Sequence, residues 1–318
     1  MNWKTLLKLG FTVLLLVVLG SQLDLGTLAS VITSARPGPL LLAVLLQLSL
    51  TVIAVVRWKI ILSYFTTQIP YLQALRIVFM GNFFSLFLPS AIGGDVFRAY
   101  YISRRSKKPL SPMLTTTFLD RSAGLCALLL IGLCASLSSD IAVGGVRLFR
   151  VFIALTSVYF LINVAVFHDW SHRATSRLLD RFGFDALDEK LQLIYEGLRA
   201  LIRAPGSVFV IIGLSLVIQF IAVCVMWFAA QSLNFDSSFG VFLIFIPLVN
   251  LSIMIPITIN GLGLREGLYL LLFAEQDEMA VALGLVQFVI VMIVGLPGGP
   301  IYSLYKLEGG GGDAGPAK

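Results

Sequence analysis

Long apolar stretches, separated by short polar ones, dominate this chain. Several reach about 20 residues, the length that an α-helix needs to cross the hydrocarbon core of a bilayer, and this excludes a soluble core as their explanation. The pattern predicts an all-α, polytopic membrane protein with about six full transmembrane helices. We place these spans near residues 5–23, 40–56, 112–137, 148–167, 207–231 and 279–303.

Two further apolar runs are interrupted by Pro89 and by Pro256. At a rise of about 1.5 Å per helical residue, the piece that follows each proline is too short to cross a bilayer alone. We therefore predict two re-entrant helical hairpins. Their limbs are Gln73 to Leu88 with Val96 to Ile102, and Phe239 to Ile255 with Leu264 to Phe273.

The two breaks carry the same pattern, Pro-x4-Gly-x3-Arg, 167 residues apart. The copies are Pro89, Gly94 and Arg98, and Pro256, Gly261 and Arg265. Paired interruptions at matching places in two halves of a membrane protein indicate a substrate site between inverted repeats. The motif therefore favours a transporter-like protein.

The loop charges predict the same arrangement independently. Sixteen lysines and arginines fall in loops on one side, against three on the other: Arg36, Arg147 and Arg150. This positive-inside bias places the first side, with both chain termini, in the cytoplasm. The first hairpin then enters from the cytoplasm and the second from outside, as an inverted-topology repeat requires. We expect the first span to stay uncleaved, because no small-residue cleavage site follows it.

These elements predict a single transmembrane domain over residues 1–305, with repeat one at about 1–137 and repeat two at about 148–305. Residues 168–204 have apolar positions at roughly helical spacing among many charges. That pattern predicts a cytoplasmic amphipathic linker helix whose basic side chains lie near anionic headgroups. The glycine-rich residues 306–318 predict a flexible tail.

Composition excludes several function classes. Apolar residues make up 58% of the chain and charged residues 13%, so no large aqueous domain is expected. The net charge of +6 lies in loops between spans, which does not indicate nucleic-acid binding. His168 and His172 have no third metal ligand beside them. We expect no metal, no cofactor and no enzymatic activity, since no catalytic or nucleotide-binding motif is present.

Charged residues within the apolar segments are costly to bury, so each is a functional candidate. They form close pairs: Asp95 with Arg98, Asp120 with Arg121, and Arg265 with Glu266. Arg76 lies near the cytoplasmic edge, where we expect its side chain to snorkel.

The breaks give a physical reason for binding an anion at this depth. They contain Gly93 and Gly94 in the first copy, and Asn260 and Gly261 in the second. The returning half-helices would point free N–H groups and positive dipole ends to mid-membrane, and glycine lets a ligand approach the backbone. Arg98 and Arg265, placed within about the first turn, would clamp the same anion. The prediction is one electropositive pocket where the hairpin tips meet.

A purely structural role is the alternative for these charges. Asp95 would then cap its half-helix, and each carboxylate would neutralise a neighbouring arginine. Asp120 and Arg121 point about 100° apart on a helix, so they cannot face one partner. We expect one of them to face the hairpin and the other a different neighbour.

These segments resemble a known family, the flippase-like membrane domain of lysylphosphatidylglycerol synthases and its stand-alone relatives. The resemblance rests on Gly93-Gly-Asp-x-x-Arg98, Asp120-Arg-x-x-Gly124 and Gly261-Leu-Gly-x-Arg-Glu266 in this order, with Leu-Asp24-Leu and Arg57-Trp58. It runs over most of residues 1–305. The departure is Pro256-Ile-Thr-Ile-Asn260, where the family often has more glycine after the proline.

The resemblance implies a bacterial inner-membrane protein that moves a phospholipid or a lipid-linked anionic molecule between leaflets. From the breaks and the charged pairs, we predict that the substrate is bound by a set of residues at the two breaks and on the span that follows the first: Gly93, Gly94, Asp95, Arg98, Asp120, Arg121, Asn260, Gly261, Arg265 and Glu266. Two other functions stay open: an intramembrane enzyme with Asp95 or Glu266 as base or nucleophile, and a non-catalytic partner of a lipid-modifying enzyme. A carrier of small anions remains a variant of the first function.

Overall fold

The computed structural model describes residues 30, 33–65, 69–87, 93–167, 195–197, 199–254, 261, 263–273 and 277–309. Within these residues the protein is helical apart from one short β-hairpin, which confirms the predicted all-α class. The predicted first span, most of the linker, Asn260 and residues 310–318 of the tail lie outside the described residues, whereas residues 306–309, predicted as part of the tail, are helical.

The helix bounds follow the hydrophobic pattern closely. In chain order the elements are α1 Pro37–Leu62, α2 Tyr71–Phe87, α3 Gly93–Ser106, α4 Leu110–Leu137, β1 Ala142–Val143, β2 Val146–Arg147, α5 Leu148–Phe167, α6 Pro205–Ser232, α7 Phe239–Ile253, α8 Leu264–Leu272, α9 Asp277–Gly295 and α10 Gly298–Gly309. Each predicted limb of the two hairpins is a separate helix.

Among the residues that the structure describes, four helical stretches are long and apolar enough to cross a membrane: Pro37–Leu62, Leu110–Leu137, Pro205–Ser232 and Glu278–Tyr305. Leu148–Val164 and Phe239–Ile253 are shorter apolar helices. Large apolar side chains such as Phe118, Leu161 and Phe209 are exposed on the outer surface, Phe209 to 81%. Such exposure suits contact with lipid tails, since a soluble protein seldom leaves so wide an apolar surface open to water. The protein is an all-α polytopic membrane protein.

The helices pack around a junction of α1, α4 and α6. Helices α1 and α6 make the most extensive helix–helix contact, and α4 lies against both. The second hairpin, α7 and α8, packs on α4 and α9, while α10 packs on α2 of the first hairpin. Elements from both predicted repeats are therefore in direct contact across the centre of the molecule.

Two glycines allow the two limbs of the first hairpin, α2 and α3, to pack in close contact. A Cβ on Gly94 of α3 would overlap the carbonyl oxygen of Gly81 and the hydroxyl of Ser85 on α2. A Cβ on Gly81 would lie 2.6 Å from Cγ of Arg98. The absence of side chains at these two positions lets α3 return directly against α2, and this return brings Arg98 beside the first limb.

The last predicted span is divided. Helix α9 ends at Gly295, Leu296 and Pro297 form a turn, and α10 begins at Gly298. The Pro297-Gly-Gly-Pro300 sequence accounts for this interruption, because proline and glycine both disfavour a continuous helix. A Cβ on Gly298 would overlap the carbonyl oxygen of Phe79, so the start of α10 packs directly on the backbone of α2.

Two expectations need correction. The predicted span 40–56 is a longer helix, α1, which extends to Leu62. Arg57 therefore lies inside a helix and is buried, although its charge was counted with the cytoplasmic loops. The bias of loop charges remains without it. The β-hairpin was not expected; its turn has Gly144 and Gly145 at φ of +58° and +79°, a conformation that glycine adopts without strain.

Candidate functional site

Three arginines and two aspartates form a chain of alternating charge at the junction of α1, α3 and α4. Asp95 on α3 joins Arg98 of the same helix to Arg121 on α4, one with each carboxylate oxygen. Asp120 accepts a hydrogen bond from Nε of Arg57 at 2.8 Å, and its second oxygen lies 3.9 Å from Nη2 of Arg98. The order is Arg57, Asp120, Arg98, Asp95, Arg121. The cluster has a net charge of one positive unit.

Neighbouring side chains hold the inner arginines in place. Nη1 of Arg57 donates to the hydroxyl of Ser215 on α6 at 2.9 Å, so this residue connects three helices. The guanidinium of Arg98 lies 5.3 Å from the ring centroid of Trp58, a cation–π contact. The indole N–H of Trp58 points to the hydroxyl of Thr116 at 3.4 Å. These contacts orient the guanidinium groups before any ligand arrives.

An open cleft of about 280 Å³ borders this cluster. Its polar wall consists of Arg57, Asp120, Arg121, Gln219 and Asn250, and its apolar wall includes Leu125, Leu128, Ile253 and Met254. The side chain of Arg121 is 30% exposed, against 10% for Arg98. Arg121 is therefore the arginine that a ligand in the cleft reaches most easily.

The second hairpin has a separate, charge-neutral pair. Arg265 donates to Oε1 of Glu266 from Nε at 3.2 Å and from Nη2 at 3.0 Å. The other oxygen of Glu266 accepts the N–H of Gly263 at 2.7 Å. Both side chains are almost fully buried. A carboxylate of the protein thus occupies the anion-favouring start of α8.

The helix that follows each hairpin supplies a polar partner to the returning limb. In the first half Arg121 of α4 bonds to Asp95 on α3. In the second half Gln287 of α9 accepts a hydrogen bond of 2.9 Å from the hydroxyl of Tyr269 on α8. A charged pair in one half corresponds to a neutral pair in the other.

The structure brings together four of the predicted residues: Asp95, Arg98, Asp120 and Arg121. Arg121 contacts the hairpin through Asp95, whereas Asp120 bonds to Arg57 on α1 and also lies 3.9 Å from Arg98 on the hairpin, so both residues reach it. Arg98 lies in the second turn of α3, rather than within about the first, because α3 begins at Gly93.

The other predicted residues belong to the breaks or to the second hairpin. Gly93 and Gly94 start α3, and Gly94 is buried against α2. Gly261, at φ +76°, packs on Ile253, which lines the cleft. Within the described residues Arg265 has Glu266 as its ion-pair partner and makes no ion pair with the first cluster. One anion shared between Arg98 and Arg265 stays a prediction.

Sequence reasoning missed Arg57, Ser215, Gln219 and Asn250 as site residues. A signal existed for Arg57, because a longer reading of the apolar run around it would have placed it inside a span. Asn250 likewise lies within the apolar first limb of the second hairpin. Ser215 and Gln219 carry no charge, and such residues are common in transmembrane helices, so the pattern alone did not distinguish them.

Comparisons with known proteins agree with this architecture. A UPF0104 membrane protein of Methanocaldococcus jannaschii is 28% identical over 119 residues, which cover 37% of this chain and 35% of that protein. The match thus spans about a third of the relative's length. No solved structure matches the chain significantly. A family model described as the lysylphosphatidylglycerol synthase TM region matches residues 5–299. Since this match covers most of the 318 residues, the chain belongs to the family of the lysylphosphatidylglycerol synthase TM region.

Proposed function

We propose that this protein moves an anionic phospholipid, or a lipid-linked anionic molecule, between the leaflets of a bacterial inner membrane. Its termini lie in the cytoplasm in this proposal, in accord with the loop charges. The phosphate of the cargo binds in the cleft beside Arg57 and Arg121. Membership of the family supports a role in the membrane, and the arginines that line the cleft support an anionic cargo.

One observation carries the proposal: among the described residues, the largely buried cluster beside the cleft has three arginines and two aspartates. An uncompensated charge in a low-dielectric environment is costly, and the cost falls when a counter-ion binds. A phosphate monoanion in the cleft would bring the cluster to neutrality. Arginine suits this task because its planar group makes two parallel hydrogen bonds to phosphate oxygens.

The shape of the cleft favours a lipid over a small anion. Its volume of about 280 Å³ lies near the lower limit of about 300 Å³ for small-molecule sites, so it holds a headgroup and leaves the tails outside. Leu125, Leu128 and Met254 add apolar surface to the lining of the cleft. A headgroup with its first methylenes matches both walls.

The second hairpin borders the cleft directly, and the first contacts Arg121 of its lining, which suggests how access changes. Asp95 of the first hairpin holds Arg121, and Ile253 at the end of α7 contacts the Gly261 turn of the second. We propose that the two halves form an inverted repeat. Movement of one half against the other would then open the cleft to each leaflet in turn.

The proposed role needs no covalent chemistry. Asp95 and Asp120 each bond to arginines through their carboxylates, and Glu266 bonds to Arg265 and to a backbone N–H. Ion pairs and hydrogen bonds already engage these carboxylate oxygens, which weakens them as nucleophiles. The charges therefore serve to bind and to orient.

The test measures leaflet exchange by purified, full-length protein in proteoliposomes. Fluorescent phosphatidylglycerol and phosphatidylcholine are followed separately by reduction of the outer-leaflet dye. We expect faster exchange of the anionic lipid, and a loss of about 10- to 100-fold in Arg121→Gln, since a hydrogen bond to a charged group contributes about 1.5–3 kcal/mol.

Arg147→Gln is the matched control. Arg147 also pairs with an aspartate, Asp140, but its side chain is 61% exposed in the β-hairpin, away from the cleft. This variant should keep wild-type exchange. Equal exchange by wild-type protein, Arg121→Gln and protein-free liposomes would reject the proposed function.

A further inference from the structure

We propose a second binding site for an anionic lipid phosphate, at the base of the first hairpin, formed by Arg76, Arg105, Tyr101 and Tyr305. This site is separate from the cleft and holds a resident lipid rather than the cargo. Its elements are α2, α3 and α10, which join the first hairpin to the last helix of the chain.

Two guanidinium groups meet on one aromatic ring at this place. The Cζ atoms of Arg76 and Arg105 each lie 5.4 Å from the ring centroid of Tyr305. A cation–π contact at a partly exposed site contributes only about 0.5–1 kcal/mol. Two like charges on one ring also repel each other, so the arrangement attracts an anion.

No carboxylate of the described residues supplies that anion. Arg57, Arg98, Arg121 and Arg265 all have an aspartate or glutamate within ion-pair distance. Neither Arg76, which is half-buried, nor Arg105, which is exposed, has one within the part of the chain that the structure describes. Each of those four arginines has an acidic partner in the protein, whereas Arg76 and Arg105 have none among the described residues and so suit an external one.

Phenol groups complete the site. The ring of Tyr101 lies 5.8 Å from that of Tyr305, on the same side of the hairpin as Arg105. Within the described ranges, neither hydroxyl has a hydrogen-bond partner in the protein. Two guanidinium groups and two hydroxyl donors form a set that suits phosphate oxygens.

The surroundings favour a lipid over a soluble phosphate. Leu72 lies four residues before Arg76 on α2, and Leu304 lies next to Tyr305; they are 57% and 64% exposed. These apolar surfaces beside the charges suit the glycerol backbone and first methylenes of a lipid. Arg104, Lys107 and Lys108 follow at the end of α3, and basic pockets between helices on the cytoplasmic side bind anionic headgroups.

The expected consequence is a lipid that ties α2 and α3 to α10. The phosphate would contact side chains of all three helices, so binding should stabilise their packing against unfolding. Such a lipid stays with the protein during purification, whereas cargo in the cleft exchanges.

The test compares thermal unfolding of protein that has been stripped of lipid by extended detergent washing, after addition of phosphatidylglycerol, phosphatidylcholine or inorganic phosphate. We expect an upward shift in Tm with phosphatidylglycerol alone. Arg76→Gln with Arg105→Gln should lose most of the shift and bind the lipid about tenfold more weakly. Arg105→Gln alone, at an exposed position, should lose part of it without disturbing the fold.

Arg104→Gln is the matched control, because Arg104 is adjacent on the same helix and contacts its own neighbour Tyr100 instead of Tyr305. It should keep the full shift. All variants are also made in Arg121→Gln protein, so that lipid in the cleft does not contribute. Equal shifts in the double variant and in Arg104→Gln would overturn the site, as would an equal shift with inorganic phosphate. Native mass spectrometry should show anionic lipid retained by Arg104→Gln and depleted in the double variant.

Discussion

Replacing Asp120 by asparagine tests whether the buried charge cluster holds the helix junction together. Asparagine has nearly the same shape and keeps an acceptor for Nε of Arg57. The variant therefore removes the charge and little else. The net charge of the cluster rises from one positive unit to two, while Arg57 and Arg98 both lose part of their counter-charge.

The magnitude follows from burial and distance. The side chains of Asp120 and Arg57 are each 7% exposed, and their ion-pair distance is 2.8 Å. Removing one partner of a buried pair destabilises a protein by about 3–5 kcal/mol, because the remaining charge is left without compensation. We expect Asp120→Asn to lose stability in this range.

The assay is equilibrium unfolding in mixed detergent micelles, with Arg57→Met and the double variant measured beside the single one. Arg57→Met with Asp120→Asn restores the cluster to one positive unit and should recover much of the lost stability. Residues in one such network typically couple by about 0.5–3 kcal/mol. A double variant whose loss equals the sum of the single losses would contradict this network.

Asp140→Asn is the control for the charge change itself. Asp140 pairs with Arg147 at 3.1 Å, but the two side chains are 87% and 61% exposed. An exposed ion pair contributes less than about 1 kcal/mol. If Asp120→Asn costs no more than Asp140→Asn, the central cluster does not stabilise the junction and the reasoning fails.

Three further variants test the packing. Gly94→Ala should lower the free energy of unfolding by about 1–3 kcal/mol, because the added methyl group forces α2 and α3 apart. Gly213→Ala is the control and should raise stability slightly, since Gly213 has open space around it in α6. Unfolding in micelles compares the two variants. Gly261→Ala should cost about 1–2 kcal/mol because of its φ of +76°, and an unchanged unfolding midpoint would contradict that backbone strain. Tyr269→Phe removes the hydrogen bond to Gln287 and should cost about 1–3 kcal/mol, with recovery when Gln287→Leu is added.

The bounds of the helices were accessible from hydrophobic pattern alone. The limbs predicted at Phe239 to Ile255 and Leu264 to Phe273 became Phe239–Ile253 and Leu264–Leu272. Before the two breaks, α2 ends at Phe87 and α7 at Ile253, within three residues of the prolines that were expected to end them. A membrane makes such prediction reliable, because an apolar segment without water must satisfy its backbone hydrogen bonds internally as a helix.

The extent of α1 shows where this reading fell short. The predicted span ended at residue 56 because Arg57 and Lys59 follow it, yet the helix extends to Leu62. The charge of Arg57 is tolerated inside the helix because Asp120 lies 63 residues further along the chain and Ser215 lies 158 residues further. A window of neighbouring residues contains no information about either partner.

The sequence alone determined the helices, the two breaks and most of the charged candidates. These follow from local properties: the length of each apolar segment, the positions of proline and glycine, and the ionisable residues within apolar segments. The pairing of those charges is not local. Asp95 joins Arg121 rather than capping α3, and Asn250 and Gln219 meet at one cleft, because the rotation and crossing of helices far apart in the chain bring those faces together. Close packing at positions such as Gly94 and Gly298 sets these crossings, and it depends on the shapes of both surfaces at once.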